Sequence, residues 1–310
     1  MNEDEWLADR FEEHRVHLRG VAYRMLGSHT EAEDAVQDTW LRLSRSGASE
    51  VENLGGWLTT VVARVCLNML RSRNVRREES FGAHVPDPVI GPEGALQPEE
   101  EALLADSVGL ALLVVLDTLT PAERLALVLH DMFDLPFDEI APMVGRTPAA
   151  ARQLASRARR RVKGSVPTPD PDLVRQRDVV DAFFLAARGG NFEALVSVLD
   201  PDVVLRIDAG AMLPAESKVV RGAASVANQA LAGLRTALAR PVVHLRPALV
   251  NGAAGVVVTV GEQPMAVIGF TVVGGKIAEI DAIADLERVR RITASVGDGG
   301  LEGWLLDPRG

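Results

Sequence analysis

The sequence predicts a multidomain chain: two all-α helical units, the second closing on a helix-turn-helix, followed by an α+β unit with a mostly antiparallel sheet. Three observations carry this. The chain has 310 residues, more than the roughly 100–200 of one ordinary domain. Two proline-rich stretches interrupt it, and after Asp172 the apolar pattern changes from helical spacing to strand-like runs.

In the first unit, Leu18, Val21, Ala22, Met25 and Leu26 recur at three- and four-residue spacing, stop at Gly27, and resume as Ala32, Ala35, Val36, Trp40 and Leu43. This predicts two amphipathic helices joined at the GSHT turn. A third helix is predicted from Gly56 to about Arg73, ending in the basic run RSRNVRR. Residues 81–101 then hold Pro86, Pro88, Pro92 and Pro98 among several acids. Proline at that density cannot continue a helix or a central strand, so this is read as an acidic linker between a unit over 1–80 and another over 102–164.

The second unit opens with a helical pattern from Leu103 to Leu119. Thr120, Pro121 and Glu123 then announce a new helix: threonine as cap, proline at the first position, glutamate closing a capping box. A short helix is predicted over Phe137 to Val144, stopped at Gly145, and Thr147 with Pro148 signals the start of another. Residues 165–171 form a second linker.

The third unit, 172–293, begins with a helix carrying Val179, Val180, Phe183, Phe184 and Ala187, and a shorter one from Phe192 to Leu199. Strand-like runs follow at 203, 242, 255, 265 and 276, the last two joined by Gly274 and Gly275, a two-residue hairpin turn. Residues 294–310 read as a flexible tail.

Composition excludes several classes of function. Cys66 is the only cysteine, so neither an internal disulfide nor a cysteine-rich zinc module is expected. The acidic start MNEDEWLADR has no apolar leader, and no run approaches the length needed to span a bilayer, which together point to the cytoplasm with no membrane partner. His14 and His17 lack a nearby carboxylate or cysteine, and no phosphate-cradling or dinucleotide glycine motif occurs. No metal, cofactor or catalytic residue is therefore assigned, and the chain is read as not an enzyme.

The charge distribution points to a polyanion. The net charge is -10, yet Gly145–Gly164 holds seven cations and no acid. Over Phe137–Arg161 the spacing is that of a helix-turn-helix, with Ala151, Leu154, Ala155, Ala158 and Val162 inward. The opposite face presents Arg152, Gln153, Ser156, Arg157, Arg159 and Arg160. Arginine and glutamine can read base edges in a major groove, while Arg146 and the helix start at Thr147 can hold phosphates. On the second helix, Glu33, Asp34, Gln37 and Asp38 beside Trp40 and Leu41 suit a protein partner, an apolar anchor with a charged rim. Arg64, Asn68, Arg71, Arg73, Arg76 and Arg77 suit single-stranded DNA.

These motifs together resemble the ECF-type sigma factors, group 4 of the sigma-70 family, which give bacterial RNA polymerase its promoter specificity. RGVAYRMLGSHTEAEDAVQDTWLRL resembles the polymerase-binding helices of region two. GGWLTTVVARVCLNMLRSRNVRREE resembles the part that opens and reads the minus-10 element. LTPAERLALVLHDMFDLPFDEIAPMVGRTPAAARQLASRARRRV resembles region four, whose helix-turn-helix reads the minus-35 element. The resemblance implies core RNA polymerase and promoter DNA as partners, with Glu33, Asp34, Gln37, Asp38, Trp40 and Leu41 on polymerase. It implies the Arg64–Arg77 set at minus-10, and Arg146, Thr147, Arg152, Gln153, Ser156, Arg157 and Arg160 at minus-35.

The third unit resembles an α+β cone of the SnoaL-like or NTF2-like kind, an extension found in the sigma-J-like subgroup, where it modulates polymerase binding and promoter activity. An intramolecular contact between this unit and the sigma domains is expected from that likeness. The linker reads HVPDP at His84–Pro88 where the subgroup often has WLPEP. Arg206, Asp208, His244 and Asp281 on the strands are candidates for a cone pocket. Two other readings compete: a ligand-sensing DNA-binding regulator, and a SnoaL-like cyclase or isomerase with a helical targeting module.

Overall fold

The computed structural model describes residues 3–46, 53–77, 84–92, 109–164, 166–210, 216–238, 243–294 and 304–306. They form two compact units, one of residues 1–79 with 112–166, the other of 80–111 with 167–310.

The first unit is helical. Helices α1 (Glu3–Leu26) and α2 (His29–Ser46) meet at Gly27, whose positive φ of 69° turns the chain without strain. Helix α3 (Leu54–Arg77) packs on both, and Leu18, Met25, Leu43, Leu58 and Leu67 are buried between them. The apolar spacing read in the sequence is the spacing of this core. After α4 (Leu110–Asp117), the predicted capping box starts α5 (Pro121–Leu127): Glu123 N–H donates to Thr120 Oγ1 at 3.3 Å, and Thr120 N–H donates to the Glu123 carboxylate at 3.2 Å. A five-residue π turn, Val128–Met132, continues it. Buried Arg124 donates to the Arg24 carbonyl at 3.0 Å and pairs with Asp117 at 3.2 Å, tying α5 to α1. Helices α6 (Phe137–Val144) and α7 (Pro148–Lys163) complete the unit. The predicted helix over Leu103–Leu119 is thus seen as Leu110–Asp117; residues 103–108 lie outside the described residues.

The second unit joins helices α8 (Leu173–Arg188) and α9 (Phe192–Val198) to an eight-stranded sheet. Strands β1 (Ile90–Pro92), β4 (Val243–Val250), β5 (Ala253–Val260), β6 (Gln263–Val273), β7 (Lys276–Ile283), β2 (Leu199–Asp208) and β3 (Lys218–Arg221) lie side by side in that order. β8 (Trp304–Leu306) pairs with β4. Among the described strand pairs, only β2 with β7 is parallel. The β6–β7 hairpin turns on Gly274 and Gly275, φ 58° and 75°, as the sequence indicates. On one sheet face, α8 and α10 (Ala223–Leu238) bury Phe183, Val226, Val256 and Phe270. On the other, α11 (Leu286–Thr293) and residues 84–92 bury Val85, Ile90, Val250, Val257 and Val289.

Five elements depart from the sequence reading; one is β3, whose four residues pair with β2 outside the strand-like runs. α10 is interrupted by an internal glycine, and α11 is only eight residues long, too short for its spacing to stand out in the sequence. β1 falls inside what reads as a free acidic spacer, and β8 inside the tail read as flexible over 294–310. Each is three residues long and exists through its pairing with β4, a non-local contact that no local pattern encodes.

Candidate nucleic-acid interface

Helix α6 ends on Gly145 in the left-handed conformation, φ 64°, and the chain re-enters α7 through Thr147, whose Oγ1 accepts from Ala150 N–H at 3.3 Å, with Pro148 next. This is the predicted helix-turn-helix. Ala151, Ala155 and Ala158 are fully buried at i, i+4 and i+7, so small side chains let α7 lie close to its neighbours. Arg152, Gln153, Ser156 and Arg160 are exposed on the opposite face.

Flanking cations are tied down by acids. Arg159 makes a two-pronged bond to Asp131 at 2.5 and 2.8 Å, which raises the arginine pKa, the hydrogen bond outweighing a small cost of burial. Arg157 and Arg161 lie 3.4 and 3.3 Å from the two oxygens of Glu123, the capping-box carboxylate. Arg157, a sequence candidate for base reading, therefore faces α5 at the margin of the exposed face. Between these margins, no acid among the described residues reaches Arg146, Arg152, Arg160 or Lys163 in an ion pair. Arg152 lies over the Phe137 ring at 5.2 Å, an aromatic support that orients its guanidinium. The result is an exposed strip of unneutralised cations with a glutamine and a serine, suited to phosphates and base edges.

On α3, Arg64, Asn68 and Arg71 are exposed at i, i+4 and i+7 and form a second polar stripe. Arg73 does not join it: its guanidinium donates to the Leu26 carbonyl at 3.1 Å and pairs with Glu31, bracing α3 against the α1–α2 turn. Arg76 and Arg77 lie outside the described side chains.

On α2, Asp34, Gln37 and Leu41 are exposed at i, i+3 and i+7, and Asp38 pairs with Arg42 at 2.9 Å. Glu33 instead bonds Arg19 at 2.5 Å and holds α2 to α1. Trp40 packs its ring on Phe11, centroids 5.2 Å apart, at one wall of a groove between α1 and α2 that Gln37 and Val36 also line. The predicted anchor is thus a fixed groove wall with acids along one edge.

The cone candidates need correction. The unit's apolar cavity lies between the sheet and helices α8 and α10 and is lined by Leu205, Ile207, Leu245, Ile280 and Ala282 among others. Arg206, Asp208, His244 and Asp281 alternate with these residues along β2, β4 and β7 and do not line it, because successive side chains on a strand point to opposite faces. Three of the four are engaged in ion pairs. Arg206 donates to Asp281 at 3.0 Å and to Glu279 at 3.1 Å; burial, aided by the Glu279 charge, pushes the fully buried Asp281 carboxyl up to about 6 against the pull of Arg206. Asp208 accepts from Arg288 Nη1 at 2.6 Å and from Val85 N–H at 3.0 Å, and pairs with His84 at 3.2 Å. Burial works to raise its pKa, but the His84, Val85 and Arg288 interactions outweigh it and hold the carboxyl well below its ordinary 3.8.

Sequence reasoning missed Asp87 and Arg288. Arg288 bridges Asp208 to the linker, donating to Asp87 at 2.6 and 2.8 Å and to the Val85 carbonyl at 2.5 Å. The acid within HVPDP and the segment IADLERV at Ile283–Val289, which holds Arg288, were the available signals. Asn251 fastens the next residues, its side-chain oxygen accepting from Val89 N–H at 2.7 Å.

Residues 10–76 match the model of sigma-70 region 2, and residues 109–162 that of sigma-70 region 4. The ECF RNA polymerase sigma factor SigJ of Mycobacterium tuberculosis is 41% identical over 70% of this chain and 69% of its own length. The probable ECF RNA polymerase sigma factor SigI of the same organism is 33% identical over 92% of this chain and 96% of its own. The crystal structure of Mycobacterium tuberculosis SigJ superposes with a TM-score of 0.70 at 32% identity, over 91% of this chain and 97% of that one.

Proposed function

This chain belongs to the ECF RNA polymerase sigma factors, and from that premise we propose that α7 reads the minus-35 element through Arg152, Gln153 and Ser156 while Arg146, Arg160 and the start of α7 hold phosphates. A sigma factor directs core polymerase to its promoters and performs no chemistry of its own. The observation that carries the assignment is the unneutralised strip of α7, bounded on both sides by ion-paired arginines.

The same reading gives Arg64, Asn68 and Arg71 to minus-10 DNA, with Arg73 positioning α3 from behind. Asp34, Gln37, Asp38 and Leu41, with the Trp40 groove, supply the polymerase surface. Control by the C-terminal unit would run through residues 84–92, which leave the spacer between the two sigma regions to pair with β4 and Arg288. While they are held there, the reach of the segment between the regions is shortened.

Transcription from a promoter library by purified core polymerase tests the scheme, comparing the chain with its Arg152→Ala and Arg288→Ala variants. Promoter-selective loss in the first and altered output across promoters in the second are expected. Unchanged promoter choice with Arg152→Ala would remove α7 from base reading.

A further inference from the structure

We propose that His130 and Phe137 are positioning residues for base reading: together they fix the Arg152 guanidinium at the surface of α7, so that minus-35 selectivity is set in part by two side chains outside the recognition helix. This deepens the reading of α7 given above and rests on it. The Arg152 guanidinium carbon lies 5.2 Å from the centre of the Phe137 ring. The His130 imidazole stacks on the same ring, with centroids 3.9 Å apart and planes inclined by 32°. His130 is held in turn, because its Nδ1–H donates to the Leu135 carbonyl at 2.9 Å. A carbonyl can only accept, so that nitrogen carries the proton.

The chain between the two rings builds the stack. After the π turn it reverses at Asp134, φ 54°, a conformation that aspartate tolerates better than most residues. Leu135 N–H then returns to the Leu129 carbonyl at 2.9 Å. The reversal brings positions 130 and 137 ring to ring. Phe137 opens α6 and is buried, so packing fixes the surface that Arg152 leans on.

The chemistry separates Arg152 from Arg159, two turns further along α7. Arg159 commits its donors to Asp131 at 2.5 and 2.8 Å. An aromatic ring attracts a guanidinium through its π face and takes none of the five N–H groups, so Arg152 is oriented with its donors still directed outward. A guanidinium already aimed loses less rotamer freedom when it docks, and it can form both prongs of a contact to its preferred base. One that rotates freely falls back on phosphates, which every sequence shares.

The test binds polymerase holoenzyme, formed with the full chain, to a promoter and to single-base variants of its minus-35 element at several salt concentrations. Phe137→Leu keeps an apolar side chain in the core and removes the π face. Discrimination among the variants should fall about two- to fivefold, the worth of a cation–π contact at an exposed site, while the salt slope stays unchanged. Phe137→Tyr should restore it. His130→Leu should lower discrimination in the same direction, and His130→Phe, which returns a stacking ring, should recover it. His130 is only half-buried, so this arm does not depend on Phe137→Leu folding, which the melting temperature reports.

In an Arg152→Ala background, Phe137→Leu should have no further effect, since it acts through the guanidinium. The proposal is overturned if folded Phe137→Leu or His130→Leu discriminates as well as the parent. It is overturned equally if Phe137→Leu costs as much without Arg152 as with it, the sign of a purely structural role. Unchanged discrimination in Arg152→Ala alone would instead take base reading away from α7, and the positioning role with it.

Discussion

Arg288 Nη1 stands 2.6 Å from Asp208 Oδ2, and the same guanidinium holds Asp87 across 201 residues of chain. One arginine on a short terminal helix thereby joins a sheet carboxylate to a segment lying between the two sigma regions. All three side chains are shielded, with the Asp208 and Asp87 carboxyls 6% and 7% exposed. Removing the cation takes the closest counter-charge from two buried anions, leaving Asp208 with His84 and the Val85 N–H and Asp87 with Arg291 at 3.4 Å. Arg288→Ala should lower unfolding free energy by about 3–5 kcal/mol, read by urea denaturation of the full chain. Arg288→Lys should recover only part of this, because an ammonium cannot form the planar fork to both carboxylates and the Val85 carbonyl.

Two buried carboxyls predict opposite pH dependence. Asp208 takes up its proton less readily folded than unfolded, so its contribution is whole above its ordinary 3.8 and is lost as the pH falls through the depressed folded value. Asp281, pushed up to about 6, holds its proton more readily folded than unfolded. Its effect on stability is most favourable on the acid side and declines as the pH rises through 6. Melting curves of Asp281→Asn minus wild type should therefore improve between pH 5 and 7, whereas those of Asp208→Asn should improve relative to wild type as the pH falls below 4.

Among the arginines of α7, position predicts consequence. Arg152→Ala should cost about 1–3 kcal/mol on promoters carrying its preferred base and little on others. Arg160→Ala should weaken all promoters alike and flatten the salt dependence. Arg157→Ala should cost less than Arg152→Ala, since its guanidinium already lies beside Glu123 at the margin of the strip. Binding of polymerase holoenzyme to minus-35 variants at several salt concentrations checks all three.

Gly145 separates backbone strain from steric clash. Its φ is 64° and a Cβ there would meet nothing within 4 Å, so Gly145→Ala introduces strain and no collision. A loss of about 1–2 kcal/mol is expected, smaller for Gly145→Asn, measured by denaturation. Promoter choice should be unchanged in both, because α7 keeps its own cap at Thr147.

Much of the helical unit was legible because its information is local. The capping box at Thr120, the stop at Gly145 and the alanine spacing of α7 each lie within one or two turns, and each is realised at the residues that announce it. The five longer strands of the C-terminal unit, β2 and β4 to β7, were legible for the same reason. Individual site residues were less so. Arg73 and Arg157 belong to the same basic runs as Arg71 and Arg152, and only packing shows that Arg73 turns inward to Glu31 while Arg157 leans on Glu123. Periodicity assigns a face; it does not report which acid from another helix arrives beside it.

The sequence by itself determined the helical sigma regions, the turn between α6 and α7, the positive strip and the strand-rich character of the last hundred residues, because short-range spacing and capping encode these. The tertiary structure alone decided that residues 84–92 join the sheet, that Arg288 bridges Asp87 and Asp208, and that Arg206 and Asp281 face away from an apolar cavity. These depend on strand register and on contacts between residues far apart in the chain, where a shift of one residue exchanges the two faces of a strand.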